Sequence, residues 1–207
     1  GSRSVTTQGV SIRRTSQVLV EKFAPFAAGL LDAAPEDVTF EEGSFQVAGT
    51  NRFVSLMDAA KAARADGRED LLVTEETTKL PGRSYPNGGH VAEVEIDPDT
   101  GETRVVRYTV ADDFGVLMNP MMAEGQVHGG VAQGIGQAIC EHVVFDDEGQ
   151  LLSGTFMDYA MPRAADMPWI DFHSVPVPST ANPLGMKGCG EAGTVGALAA
   201  VANAVQD

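Results

Sequence analysis

Residues 125–138 read Gly125-Gln126-Val127-His128-Gly129-Gly130-Val131-Ala132-Gln133-Gly134-Ile135-Gly136-Gln137-Ala138. Across residues 122–142, Val127, Val131, Ile135, Ala138 and Ile139 recur at three- and four-residue steps, which predicts a helix. Yet Gly125, Gly129, Gly130, Gly134 and Gly136 fall in the same stretch. Each interior glycine costs a helix about 0.5–1 kcal/mol relative to alanine. So many in one helix call for backbone held close against a neighbour or a ligand. The excess is general: 23 of 207 residues are glycine, where about 7% is usual.

Working outward, residues 143–145 and 151–159 suggest a hairpin around Asp146-Asp147-Glu148-Gly149. A proline-rich extended run follows and leads to Gly185-Met186-Lys187-Gly188-Cys189-Gly190-Glu191-Ala192-Gly193. Residues 194–205 form an alanine-rich apolar helix. Upstream, Ala92, Val94 and Ile96 alternate with Glu93 and Glu95, a strand with one wet face. Residues 103–111 supply its hairpin partner across the turn Asp97-Pro98-Asp99-Thr100-Gly101-Glu102. Residues 66–89 are polar and turn-rich and serve as a linker. Before them, residues 10–31 carry a helical apolar stripe, in which Pro25 should impose a kink or a restart. Residues 38–40 and 44–47 form a hairpin. Ser55 and Asp58 form a capping box that opens a helix to about Ala65. The expected fold is α+β, antiparallel hairpins packed with helices, in two lobes: residues 1–80 and residues 90–207.

A formal charge of −15 argues against nucleic acid and anionic membrane surfaces as partners, since both need a basic face. An apolar content of 43% is enough for a packed core. No run of 18 apolar residues exists, so no membrane-spanning helix is expected. Cys140 and Cys189 are the two cysteines, and no CxxC pair is present. A structural zinc site or a four-cysteine iron–sulfur cluster within this chain is thereby excluded. Two isolated thiols fit a reducing compartment, so a cytoplasmic location is expected. The chain opens on Gly1-Ser2-Arg3-Ser4 without methionine and stops at Asp207 without a helix cap, so both ends look cut.

Chemistry concentrates at Gly188-Cys189-Gly190-Glu191-Ala192-Gly193. The run matches a bare G-x-G-x-x-G, but a dinucleotide fold needs a strand before it and an acidic residue about 20 positions later. Neither is present. Two readings of Glu191 stand: a helix cap, or a carboxylate at a helix mouth, where the dipole favours its charged form and it can act as a general base. The histidines form no metal spacing, and no G-x-S-x-G occurs. Cys189 reads as a small packing residue. The loop from Asp112 to Gly115 could be a cation site or a solvated turn. Lys187 could pair with an acid or contact a phosphate.

These segments resemble one family. The glycine-rich run 125–138 looks like its cofactor helix, Thr155-Phe156-Met157-Asp158-Tyr159-Ala160-Met161-Pro162-Arg163-Ala164 like the segment that follows, and Lys187 to Gly193 like its catalytic motif. Gly1-Ser2-Arg3-Ser4 also resembles a cofactor loop of that family. The family is the molybdenum-binding large subunit of the molybdenum hydroxylases: xanthine dehydrogenase, aldehyde oxidase and aerobic carbon monoxide dehydrogenase. The resemblance covers essentially the whole chain and is densest over residues 90–205. It implies a molybdenum–molybdopterin cofactor, in bacteria usually the cytosine dinucleotide form. It implies Glu191 as general base, taking a proton from a molybdenum-bound hydroxide whose oxygen attacks an electron-poor carbon. Gly1, Ser2, Arg3, Ser4, Gln126 and Gly190 are implied as cofactor-binding, with no metal ligand from the protein itself. FAD and 2Fe-2S centres are expected on partner domains or chains.

Two family features are missing: an upstream glycine-rich loop beside the metal and the arginine-bearing loop that separates subtypes. The chain is therefore expected to be one wall of a site, either truncated or one product of a split subunit. Alone it is expected to bind no molybdenum and to be inactive. Its partners are then the rest of the molybdenum subunit, the FAD and iron–sulfur subunits, and a small-molecule substrate: an aldehyde, an N-heterocycle or CO. Two other readings compete, a non-catalytic interaction domain retaining the fold and a nucleotide-binding module.

Overall fold

The computed structural model describes residues 2–207. They form two compact units: Thr7–Lys79, and Leu80–Asp207 together with residues 2–6. The first residues thus group with the C-terminal unit, whereas the sequence reading placed them in the lobe of residues 1–80.

The Thr7–Lys79 unit begins with helix α1 (Val10–Leu30). Pro25 lies inside it and does not restart the helix, although its ring removes one backbone hydrogen bond. Phe23, Ala27 and Ala28 bury the face that flanks the proline, so tertiary packing overrides the local break. Arg52 closes the C-terminus by donating to the carbonyls of Leu31 and Asp32 at 2.7 and 3.0 Å. Strands β1 (Val38–Glu41), β2 (Ser44–Val47) and β3 (Phe53–Ser55) form an antiparallel meander. Helix α2 (Leu56–Ala65) starts at Ser55, whose Oγ accepts the Asp58 N–H at 3.0 Å. The core is Phe23, Ala27, Phe45, Ala59, Ala63 and Leu71.

In the second unit, β4 (Asn87–Ile96) and β5 (Thr103–Asp113) form the expected hairpin, each longer than the sequence pattern suggested. The pairing shifts between Glu93 and Val94, leaving Val106 as the extra residue on β5. That bulge moves the buried side from Val105 to Tyr108 and Val110. Strand β6 (Ile170–Ser174) adds to β5 in parallel, a pairing the proline-rich run concealed. The second expected hairpin is reduced to a single bridge, Phe145 with Leu151. Beyond it, Thr155 and Asp158 bond to each other and turn the chain, competing with a ladder.

Helix α3 (Pro120–Ile139) opens on Asn119, whose side chain accepts the Met122 N–H at 3.1 Å. Helix α4 (Ala192–Gln206) packs along it and over β4. The α3 glycines divide by role. A Cβ at Gly130 would lie 2.8 Å from the Thr194 nitrogen, and one at Gly134 would lie 2.5 Å from the Ala197 Cβ. One at Gly136 would meet Pro162 at 2.8 Å. Gly130 and Gly134 let the two helices touch backbone to backbone, whereas Gly136 makes room for the Pro162 ring. Gly125 and Gly129 face open space. The core beneath comprises Tyr108, Val110, Phe114, Val127, Val131, Ile135, Ala197 and Val201, among others. No helix among the described residues is long and apolar enough to cross a membrane.

Candidate functional site

Four segments of the second unit meet around residue 190: the start of the chain, α3, the loop 185–191 and the first turn of α4. Ser2, in a left-handed backbone conformation (φ 45°), accepts the Gly190 N–H on its Oγ at 2.9 Å. The Gln126 side-chain amide donates to the Gly190 carbonyl at 2.8 Å. The residue before Glu191 is therefore held through both its N–H and its C=O. Gly190 has to lack a side chain, because Ser2 Oγ occupies the space a Cβ would take. At Gly188 a Cβ would lie 2.5 Å from the Ser2 Cβ. One turn further along, Thr194 Oγ1 donates to Gln133 Oε1 at 3.1 Å, tying α4 to the same face of α3.

Glu191 is exposed and stands at the N-cap of α4, yet its side chain caps no backbone N–H. That removes the capping reading and leaves its carboxylate free for a ligand. The exposed face of α3 beside it carries Gly125, Gln126, Gly129 and Gln133. Backbone at Gly125 and Gly129 is open to close approach. Arg3 and Ser4 are exposed, and Gly1 lies outside the described residues. Among the described residues, no three His, Cys, Asp or Glu side chains converge as a metal site. A bulky, polar, oxygen-rich group fits this arrangement. Beside the Ser2–Gly190–Gln126 cluster it would find side-chain-free backbone at Gly125 and Gly129, with the unengaged Glu191 carboxylate next to it.

Behind this surface the loop is bolted to the end of β5. The Lys187 ammonium pairs with the Asp113 carboxylate, both side chains nearly buried (10% and 12% exposed). Asp113 Oδ1 also accepts the N–H groups of Gly115 at 2.8 Å and Val177 at 2.9 Å. Burial pushes the Asp113 carboxyl up, but the Lys187 bond and these two N–H donors outweigh it and hold it below the usual carboxylate range. Asp113 is thus neither a cation site nor a solvated turn, and Lys187 is engaged with an acid. Asn182 clamps the same loop, donating to the Met186 carbonyl at 2.8 Å and accepting its N–H at 3.2 Å. Sequence reading missed this latch because Asp113 and Lys187 lie 74 positions apart.

His90 and Asp112, buried under α4, were equally illegible. His90 Nδ1 contacts Tyr108 Oη at 2.7 Å, and its Nε2 lies 3.6 Å from Asp112. Burial first, then the Asp112 carboxylate, pushes the Tyr108 hydroxyl well above its ordinary range. Cys189 packs against the core, and burial raises its thiol, in keeping with a packing role.

A family model described as molybdopterin cofactor-binding domain matches residues 1–168. The chain belongs to that family, and it is a fragment of a molybdenum hydroxylase large subunit. It is 37% identical over its whole length to the gamma subunit of the 6-hydroxypseudooxynicotine dehydrogenase complex of Paenarthrobacter nicotinovorans, covering 27% of that protein. It superposes on quinoline 2-oxidoreductase from Pseudomonas putida 86 with a TM-score of 0.82, at 39% identity, over 97% of this chain and 26% of that one. A Cu,Mo-CO dehydrogenase in its carbon monoxide-reduced state gives a TM-score of 0.84 at 30% identity, over 100% of this chain and 26% of that one. The chain therefore spans about a quarter of the length of the relatives it matches.

Proposed function

We propose that this chain forms the Glu191-bearing wall of the active site of a molybdenum hydroxylase, an enzyme that oxidatively hydroxylates a small molecule with oxygen from water. One observation carries the reading: Ser2 and Gln126 fix Gly190 from both sides, directly before a Glu191 whose carboxylate caps nothing. When bound, the molybdenum–molybdopterin cofactor, in its cytosine dinucleotide form, supplies the two-electron redox chemistry. Ser2, Arg3, Ser4 and Gln126, with Gly1 by sequence, would hold it, and the open backbone at Gly125 and Gly129 would let it approach α3 closely. Gly190 holds the chain at the distance its fixed peptide sets. Glu191 accepts the proton released as the water-derived oxygen attacks the substrate, so its carboxylate has to be ionised and within hydrogen-bond reach of that oxygen.

An electron-poor carbon next to a ring nitrogen is the first substrate class to test, supported by likeness to an enzyme named for quinoline. Aldehydes and CO are the other two. 2Fe-2S and FAD centres, held on partner domains or chains, would supply the onward electron transfer. Phe156, Met157 and Trp169 are 90%, 93% and 84% exposed. Apolar side chains that bare support a surface covered by the remainder of the large subunit. On this reading the isolated chain binds no molybdenum and has no turnover.

The test is to produce residues 1–207 with and without the remainder of the large subunit. Molybdenum content and dye-linked oxidation of quinoline, an aldehyde and CO are then measured. Metal and oxidation only in the joint product support the proposal. A joint product that loads molybdenum but oxidises none of the three refutes the catalytic reading.

A further inference from the structure

Only Gly188, Cys189 and Gly190 separate Lys187 from Glu191. Two of these are glycines, which restrain backbone least. The position of Glu191 therefore depends on what holds each end of that short span. At its far end Ser2 and Gln126 hold Gly190. At its near end, among the described residues, the charged contact is the buried pair of Lys187 with Asp113. The Lys187 N–H also donates to the Phe114 carbonyl at 2.9 Å, and the Val116 N–H to the Gly185 carbonyl at 2.9 Å. Gly115, at φ +62°, passes so close to the Gly185 carbonyl that no side chain fits between them. Asp113 gathers three separate segments on one carboxylate: its own turn through Gly115, the proline-rich run through Val177, and the Glu191 loop through Lys187.

We infer that Lys187 and Asp113 are positioning residues for Glu191: their buried ion pair sets the near end of the loop and so the placement of the proton acceptor. This rests on the reading of Glu191 as general base. Neither residue touches substrate or cofactor in this role. The two backbone N–H bonds to Asp113, the Asn182 clamp on Met186 and the Lys187 N–H bond to Phe114 would persist without the ion pair, so breaking it loosens the loop beside Glu191 without unfolding the strand end. A misplacement of about 1 Å at a reacting group can lower turnover roughly 10²-fold.

The experiment uses the complete enzyme, with the full-length large subunit and its partners, carrying Lys187→Met, Asp113→Asn, Lys187→Arg, Glu191→Gln, or Glu191→Gln with Lys187→Met. Molybdenum content, turnover per molybdenum, and hydrogen exchange of the peptide spanning residues 185–191 are read for each. Lys187→Met and Asp113→Asn should lower turnover per molybdenum by roughly 10²-fold, with KM little changed and exchange of that peptide accelerated. Lys187→Arg, which keeps the charge, should recover most of the loss. In the Glu191→Gln background Lys187→Met should lower turnover no further, because it acts through Glu191. If Lys187→Met does not assemble, Asp113→Asn, which keeps shape and the acceptor oxygen, gives the same reading. Parental turnover per molybdenum in both Lys187→Met and Asp113→Asn overturns the inference, as does an undiminished effect of Lys187→Met on top of Glu191→Gln. Parental turnover in Glu191→Gln alone overturns the base reading instead, and with it the step the pair serves.

Discussion

Alanine at Gly134 and alanine at Gly129 should change stability in opposite directions, although both sit in the same helix. At Gly129 nothing lies within 4 Å of an added Cβ, so the substitution gains the full helix propensity, about 0.5–1 kcal/mol. At Gly134 the new Cβ falls 2.5 Å from the Ala197 Cβ and 3.0 Å from the Leu198 nitrogen. One neighbour is a side-chain stub and the other is α4 backbone, and neither yields without moving the helix. Overpacking of that kind costs about 1–3 kcal/mol, which outweighs the propensity gain and leaves a net loss centred on about 1 kcal/mol. The two variants should thus differ by about 2 kcal/mol, or roughly 4–8 °C in Tm for a chain of this size. Thermal unfolding of the 207-residue chain, followed by far-ultraviolet circular dichroism, measures the difference. Shifts of the same sign, or a stabilised Gly134→Ala, would refute the division of α3 glycines into packing and open positions. The same Gly129→Ala, placed in the complete subunit, should load less molybdenum despite its more stable fold, because its methyl lies one turn from Gln126 on the exposed face.

Ser55→Ala removes the acceptor for the Asp58 N–H at the start of α2 and should cost about 1 kcal/mol, read as a lower urea midpoint. Asp113 is held below its ordinary pKa, so in acid the unfolded state takes up a proton that the folded state refuses. Its contribution is complete above about pH 4 and is lost as pH falls through the folded value. Asp113→Asn should flatten that part of a stability–pH curve. Tyr108 shifts upward, so the folded state keeps a proton the unfolded state gives up, and its contribution is lost as pH rises above about 10. Ultraviolet titration should show one tyrosine ionising only as the fold opens, and a Tyr108→Phe variant should lack that step.

Elements with strong local signals were legible in the sequence. The Val127, Val131 and Ile135 spacing marked α3, the alternation from Ala92 to Ile96 marked β4, and Ser55 marked the start of α2. Signals set by distant neighbours were not. Proline hides β6, since its strand character comes from the β5 edge it joins. Pro25 breaks α1 locally but is overruled by the buried face around it. At the site, glycine richness pointed to close approach without saying to what. Gly130 and Gly134 answer to α4, while Gly125 and Gly129 remain open for a ligand. The Asp113–Lys187 pair and the Ser2–Gly190 contact join residues 74 and 188 positions apart, beyond the reach of any periodicity.

The most direct measurement is turnover per molybdenum in the complete enzyme carrying Glu191→Gln. Glutamine keeps the shape and cannot accept the proton, and the Glu191 side chain supports no helix cap. Molybdenum content and Tm should stay at parental values while turnover falls roughly 10²- to 10⁴-fold, the range of a lost general base. Turnover within a few-fold of the parent, at equal molybdenum content, would contradict Glu191 as the proton acceptor and this wall as the catalytic one.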